Sequence, residues 1–279
     1  MNTKIQIFYL IMLGSLFKTK PVLEEETIQW LFDGFSWTLE SFGSDVFYAE
    51  TNLIEPSKKF FPGGDEDIEG MARLIFDKVR HYCGLDHWPC QLIDHHEVEQ
   101  TPTANALQAL QSLNEAATTP LTLLYEPQQV GSPNVMIANY AHALAHHLGT
   151  LAPQPAPCDQ EQWPHMMELL AVYMGFGLMF VDTAVPPRRT CGSCGNPTMD
   201  RVGALTEMQV CYALAIFCEL KQIPAKQVYP HIKGYLKSLF KKASKDVTQR
   251  TEQLAKLRAI NVPSQLRGQA ITQRLLQPL

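Results

Sequence analysis

The 279-residue sequence predicts an α+β fold, mainly helical with a small sheet. Apolar residues recur at helical spacing in run after run, while residues 91–93 and 121–125 have the composition of short strands. No internal repeat and no low-complexity tract interrupts this pattern.

The elements follow in order. Glu24, Glu25 and Glu26 precede an apolar stripe of Ile28, Leu31, Phe32, Phe35 and Leu39, with acids where a helix N-terminus favours them. Gly43 suits the end of that helix. Residues 46–54 read as extended, stopped by Pro56. A turn at 61–64 leads to a second helix from Asp65 to about Tyr82. Residues 103–116 have helical spacing at Leu107, Leu110 and Leu113. Residues 121–125, between Pro120 and Pro127, form a strand. Ser132-Pro133 starts the next helix as cap and first residue, and Gly149 stops it. A proline-rich loop follows, then an apolar helix over 164–181, a third long helix over 205–220, and an amphipathic helix over 225–244. Residues 247–279 read as a frayed helical tail.

Composition bounds the function classes. With 46% hydrophobic and 18% charged residues, the chain has the make-up of a soluble globular protein. Its net charge of -5 is unevenly placed. Residues 1–220 hold 26 acidic and 11 basic side chains, and residues 221–279 hold 2 acidic and 12 basic ones. The basic segment is either a solvated face or a surface for an anionic partner; nucleic acid is not expected. Seven scattered cysteines do not form a secreted disulfide framework, so reduced thiols and a cytoplasmic location are expected. The apolar stretch 5–17 is too short for a transmembrane helix and lacks a cleavage site, although it leaves membrane contact open.

The chemistry concentrates at His142-Ala143-Leu144-Ala145-His146. Histidines four apart on a helix share one face, about 5–6 Å apart at Cβ, which suits two imidazoles on one zinc ion. Glu168 lies on the next helix, which is otherwise nearly free of charge. Buried carboxylates need a partner or a metal. His147 points about 100° away from His146 around the helix. Asp94-His95-His96-Glu97 has ligand chemistry too, but its polar surroundings read as surface.

Tyr140 to His146 with Glu168-x-x-Ala171 resembles the zincin metallopeptidases of gluzincin layout, H-E-x-x-H followed by E-x-x-A. The stretch from Tyr125-Glu126-Pro127 through Gly175-Phe176-Gly177-Leu178 to the helix ending near Phe217 is similar to uncharacterised bacterial zincin-like proteins. The resemblance implies a zincin-like core with the small sheet packed on the motif helix. It also implies one Zn²⁺ on His142, His146 and Glu168, with an open position for water. The implied ancestral activity is metal-assisted hydrolysis of a peptide or amide bond.

The departure is Ala143, which stands where the family has its general-base glutamate. Loss of a general base typically lowers a rate by about 10²–10⁴. The expectation is a catalytically impaired protein, either a natural pseudoenzyme or an inactivated variant. Tyr140 and Tyr173 are candidate transition-state donors or ordinary core residues.

Cys191-x-x-Cys194 is half of a zinc knuckle and a candidate second metal site, with Cys158 or His165 to complete it in space. The expected organisation is an apolar leader (1–23), a zincin-like domain (24–245) and a basic helical tail (246–279). The expected partner is a peptide or protein. The alternative function is a non-catalytic interaction scaffold that works through the basic segment from Lys221 to Lys245.

Overall fold

The computed structural model describes residues 22–63, 67–86, 88–95, 121–184 and 203–263. It is mainly helical, with one two-stranded parallel sheet. Residues 1–21 of the expected leader, the helix expected at 103–116, Cys191, Cys194 and His96-Glu97 lie outside the described residues.

Helix α1 (Glu25–Phe42) buries the expected stripe of Ile28, Leu31, Phe32, Phe35 and Leu39. It ends at Gly43, whose φ of 97° is a conformation that glycine tolerates best. The next residues correct the sequence reading: 44–49 are not extended but form α2 (Ser44–Ala49). Six residues carry too little periodicity to separate helix from strand. What holds α2 is tertiary: the Phe47 ring stacks on Tyr173 at 4.9 Å and meets Phe217 edge-on at 5.5 Å. Helix α3 (Ile68–Tyr82) starts at Asp67, whose carboxylate accepts from the Gly70 amide at 2.7 Å.

Strands β1 (Cys90–Asp94) and β2 (Leu121–Tyr125) pair in parallel, with Leu92 opposite Leu123. A parallel pair requires a crossover connection of a dozen residues or more, and the 26 residues between these strands are enough. Strand β2 touches α4 (Pro133–Thr150), which is also packed against α3. Helix α4 has Pro133 at its first position as expected, but the Ser132 side chain makes no capping bond.

Helix α5 (Trp163–Ala171) runs into a π turn (Val172–Phe176) and resumes as α6 (Gly177–Thr183). The break centres on Gly175, with φ 101°. A Cβ there would sit 2.1 Å from the carbonyl oxygen of Asn52, and the Ile54 amide donates to the Gly175 carbonyl at 3.0 Å. The irregular segment 51–54 is thus laid into the interrupted helix, a contact only glycine permits. The whole of Trp163–Thr183 is long and apolar enough to cross a membrane, and nearly all of it is buried among the other helices.

Helix α7 (Glu207–Leu220) opens with a full capping box between Thr206 and Gln209 and is packed against α6. The expected single helix over 225–244 is instead interrupted. A short turn α8 (Ala225–Val228), a 3₁₀ turn at Tyr229–His231 and then α9 (Leu236–Gln249) replace it. Pro230 lacks an amide donor and Gly234 disfavours helix, which accounts for the break. Helix α10 (Thr251–Ala259) buries Leu254 and Leu257 and packs on α1.

The boundary expected at 245 therefore falls inside α9, and residues 246–263 are docked rather than frayed. Arg250 is the centre of this docking. It donates to both carboxylate oxygens of Glu25 and to Asp246, which also accepts from the Tyr212 hydroxyl at 2.5 Å.

Candidate metal centre and its surroundings

Helix α4 presents the two motif histidines one turn apart, with Leu144, Ala145 and Leu148 buried around them. His142 is half-buried and His146 is exposed. The Trp163 ring, at the start of α5, meets His146 edge-on with 5.8 Å between ring centres. Crowding by these helices lowers the His146 pKa below its ordinary value, so the ring is neutral at pH 7, the state a metal ligand needs. His147 faces elsewhere, tilted over Trp88 at 4.5 Å. Its pKa is lowered by burial and then by His146. Ala143 is a partly buried methyl packed against the core.

Glu168 is buried, with 1% of its surface exposed. Its carboxylate faces the segment that leads into α7. One oxygen accepts from the Ala204 amide at 2.8 Å and the other from the Leu205 amide at 2.9 Å. The helix geometry explains the direction. Met167 and Trp163 are the α5 side chains nearest Gly149 of α4, and Glu168 is one residue, about 100°, further round from Met167. Two strong acceptors on two consecutive amides fix the start of α7 on α5.

Among the described residues no three His, Cys, Asp or Glu side chains gather closely enough to hold a metal ion. His142 and His146 share a face as the spacing expects, but Glu168 points its oxygens at Ala204 and Leu205. A lone carboxylate on an apolar helix reads equally well as a metal ligand or as a backbone anchor. The second use leaves no trace in sequence, because its partners are main-chain amides.

The two tyrosines differ. The Tyr173 hydroxyl donates to the Gly43 carbonyl at 3.0 Å and holds the end of α1. The Tyr140 hydroxyl is buried with no hydrogen-bond partner among the described residues. Burial, followed by the nearby Tyr125, pushes its pKa well above the ordinary value. Burial raises the pKa of Cys90, Cys158, Cys211 and Cys218. A raised pKa is the opposite of what a reactive thiol needs at these four positions.

The basic segment divides into two kinds of lysine. Lys221 is turned inward: its ammonium donates to the carbonyls of Phe47 and Tyr48 at 2.7 and 2.8 Å, closing the end of α2. On α9, Leu236, Phe240, Ala243 and Val247 face the core. Lys237, Lys241, Lys242 and Lys245 are exposed, and none forms an ion pair among the described residues.

No protein-family model, curated protein or solved structure matches the chain.

Proposed function

We propose that this chain is a zincin-like protein without peptidase turnover that acts by binding a partner. Glu168 carries this reading. A carboxylate that accepts from two backbone amides serves as a structural tie, and Ala143 leaves the base position without a proton acceptor, which supports this reading. The working surface in this reading is the row of exposed lysines on α9, and the partner is an acidic peptide or protein. The experiment is a pull-down with wild-type protein and a Lys237→Gln/Lys241→Gln/Lys242→Gln variant, with and without chelator. A partner lost in the variant but indifferent to chelator supports the reading. A partner retained in the variant overturns it.

The neutral His146 one turn from His142 favours a second reading, in which the pair still binds zinc. Elemental mass spectrometry on protein purified without a His tag tests it. About one zinc per chain, lost in His142→Ala, supports the site. No zinc after supplementation overturns it. Hydrolysis appearing in Ala143→Glu would place the chain as an inactivated hydrolase.

A further inference from the structure

Two helices expose charge of opposite sign that finds no mate among the described residues. Helix α1 carries four carboxylates and no lysine or arginine. Glu25 is taken by Arg250, while Glu26, Asp33 and Glu40 are exposed and form no ion pair among the described residues. Spaced seven apart, these three lie within about 40° of one another around the helix. Asp33 and Glu40 accept from neutral neighbours, Gln29 at 2.8 Å and Ser36 at 3.1 Å.

Helix α9 is the converse. Its single acid, Asp246, is engaged by Tyr212 and Arg250. Lys237, Lys241 and Lys245 follow one another at i, i+4 and i+8, where like charges repel and weaken a helix. Elsewhere exposed charges find mates within the chain, as Arg73 does in Glu69 and Arg258 in Glu219. The acidic and basic stripes also start from one corner of the molecule, because Arg250, just past the end of α9, donates to Glu25 at the start of α1. Two unmated stripes of opposite sign in one chain complement each other.

We propose that the acidic partner of the α9 lysines is a second copy of this chain, docked through its α1 stripe in a two-fold pair. The inference rests on the proposed use of α9 as the working surface. The spacings fit: Asp33 and Glu40 are about 10.5 Å apart along their helix axis, and Lys237 and Lys245 about 12 Å along theirs. A flexible lysine stem absorbs that difference. A two-fold pair makes the contact twice, α1 on the partner's α9 and α9 on the partner's α1, so it closes as a dimer and does not grow into a filament. Exposed ion pairs are individually weak and screened by salt, so the association is weak and salt-sensitive.

The test is analytical ultracentrifugation of the full chain at about 1–300 μM in about 50 and 500 mM NaCl. The expected result is a dimer with a dissociation constant on the order of 100 μM in low salt, weakened about tenfold in high salt. Asp33→Lys/Glu40→Lys and Lys237→Glu/Lys241→Glu/Lys245→Glu should each be monomeric alone. Their equimolar mixture should dimerise again, because each reversed stripe then meets a reversed stripe, and that recovery also shows both variants to be folded. The milder Glu40→Gln and Lys241→Gln changes should each weaken the dimer, which keeps the test sound if a reversal disturbs folding. A wild-type chain that stays monomeric in low salt, or a dimer indifferent to the α1 changes, overturns the proposal. The proposed function has its own readout: a monomeric chain that still loses a captured partner in the lysine variant refutes self-pairing alone. A dimer indifferent to the lysine changes, with no partner lost in the pull-down, refutes both.

Discussion

Lys221 holds its ammonium 2.7 Å from the carbonyl oxygen of Phe47 and 5.3 Å from the centre of that residue's ring. One cation thus closes a helix end and lies against an aromatic surface that belongs to the core. Burial lowers its pKa, which marks the contact as desolvated. Lys221→Met removes the donor to two carbonyls and should lower stability by about 1–3 kcal/mol. Urea unfolding measures it, and a change within error would show that water replaces the ammonium freely.

Glu168 separates a structural tie from a metal ligand by its response to chelator. Glu168→Ala should destabilise by about 2–5 kcal/mol, because it strands two amides at the entrance to α7. If the tie is structural, the loss is the same with and without EDTA. A loss seen only in metal-loaded protein would identify Glu168 as a ligand.

Tyr140 gives a prediction of opposite sign. Its buried hydroxyl has no partner among the described residues, so Tyr140→Phe removes a group that gains nothing from folding. The ring keeps its edge-on contact with Phe76 at 5.4 Å. Stability should stay level or rise by about 1 kcal/mol. A loss of more than about 1 kcal/mol would reveal a hydrogen bond to the hydroxyl.

The α4 histidines set a pH dependence. The folded pKa values of His146 and His147 lie below the ordinary 6.5, so the unfolded chain binds more protons between the two values. Stability is therefore fully present above pH 6.5 and falls as pH drops from there toward the folded values. Urea unfolding at steps from pH 7.5 to 5 should show this slope, reduced in His146→Gln/His147→Gln. An unchanged slope in that variant would assign it to other groups. Trp88, under His147, should lose fluorescence over the same range in the wild type only.

Arg250→Ala should release α9 and α10 from α1. Amide exchange in α10 should quicken while exchange in α4 is unchanged, since the Arg250 side chain bonds to Glu25 of α1 and Asp246 of α9 and the network reaches α7 through Tyr212, away from α4. Uniform quickening would mean that the C-terminal helices belong to the global cooperative unit.

The long helices were legible because their apolar stripes are long enough to show a period, as in α1 and α4. Helix α2 was not, because six residues around Phe47 are held by Tyr173 and Phe217 from far along the chain. The break after α8 was present in the sequence as Pro230 and Gly234, but amphipathic spacing on both sides outweighed it. At the candidate site, the spacing of His142 and His146 was readable. The direction of Glu168 was not, because which way a residue faces depends on which side of α5 packs against α4.

The clasp between Glu25 and Arg250 also sets an order of events during synthesis. These residues are 225 positions apart, and the Val262 amide closes a similar loop on the Ser44 hydroxyl. At roughly 5–20 residues per second, the ribosome takes on the order of 10–45 s to deliver the second partner after the first. Throughout that interval the side of α1 that packs on α10 has no partner there, and Leu254 and Leu257 are not yet available to be buried. Nascent chains stalled before residue 250 should be the forms that chaperones hold most avidly, and release should follow emergence of α10.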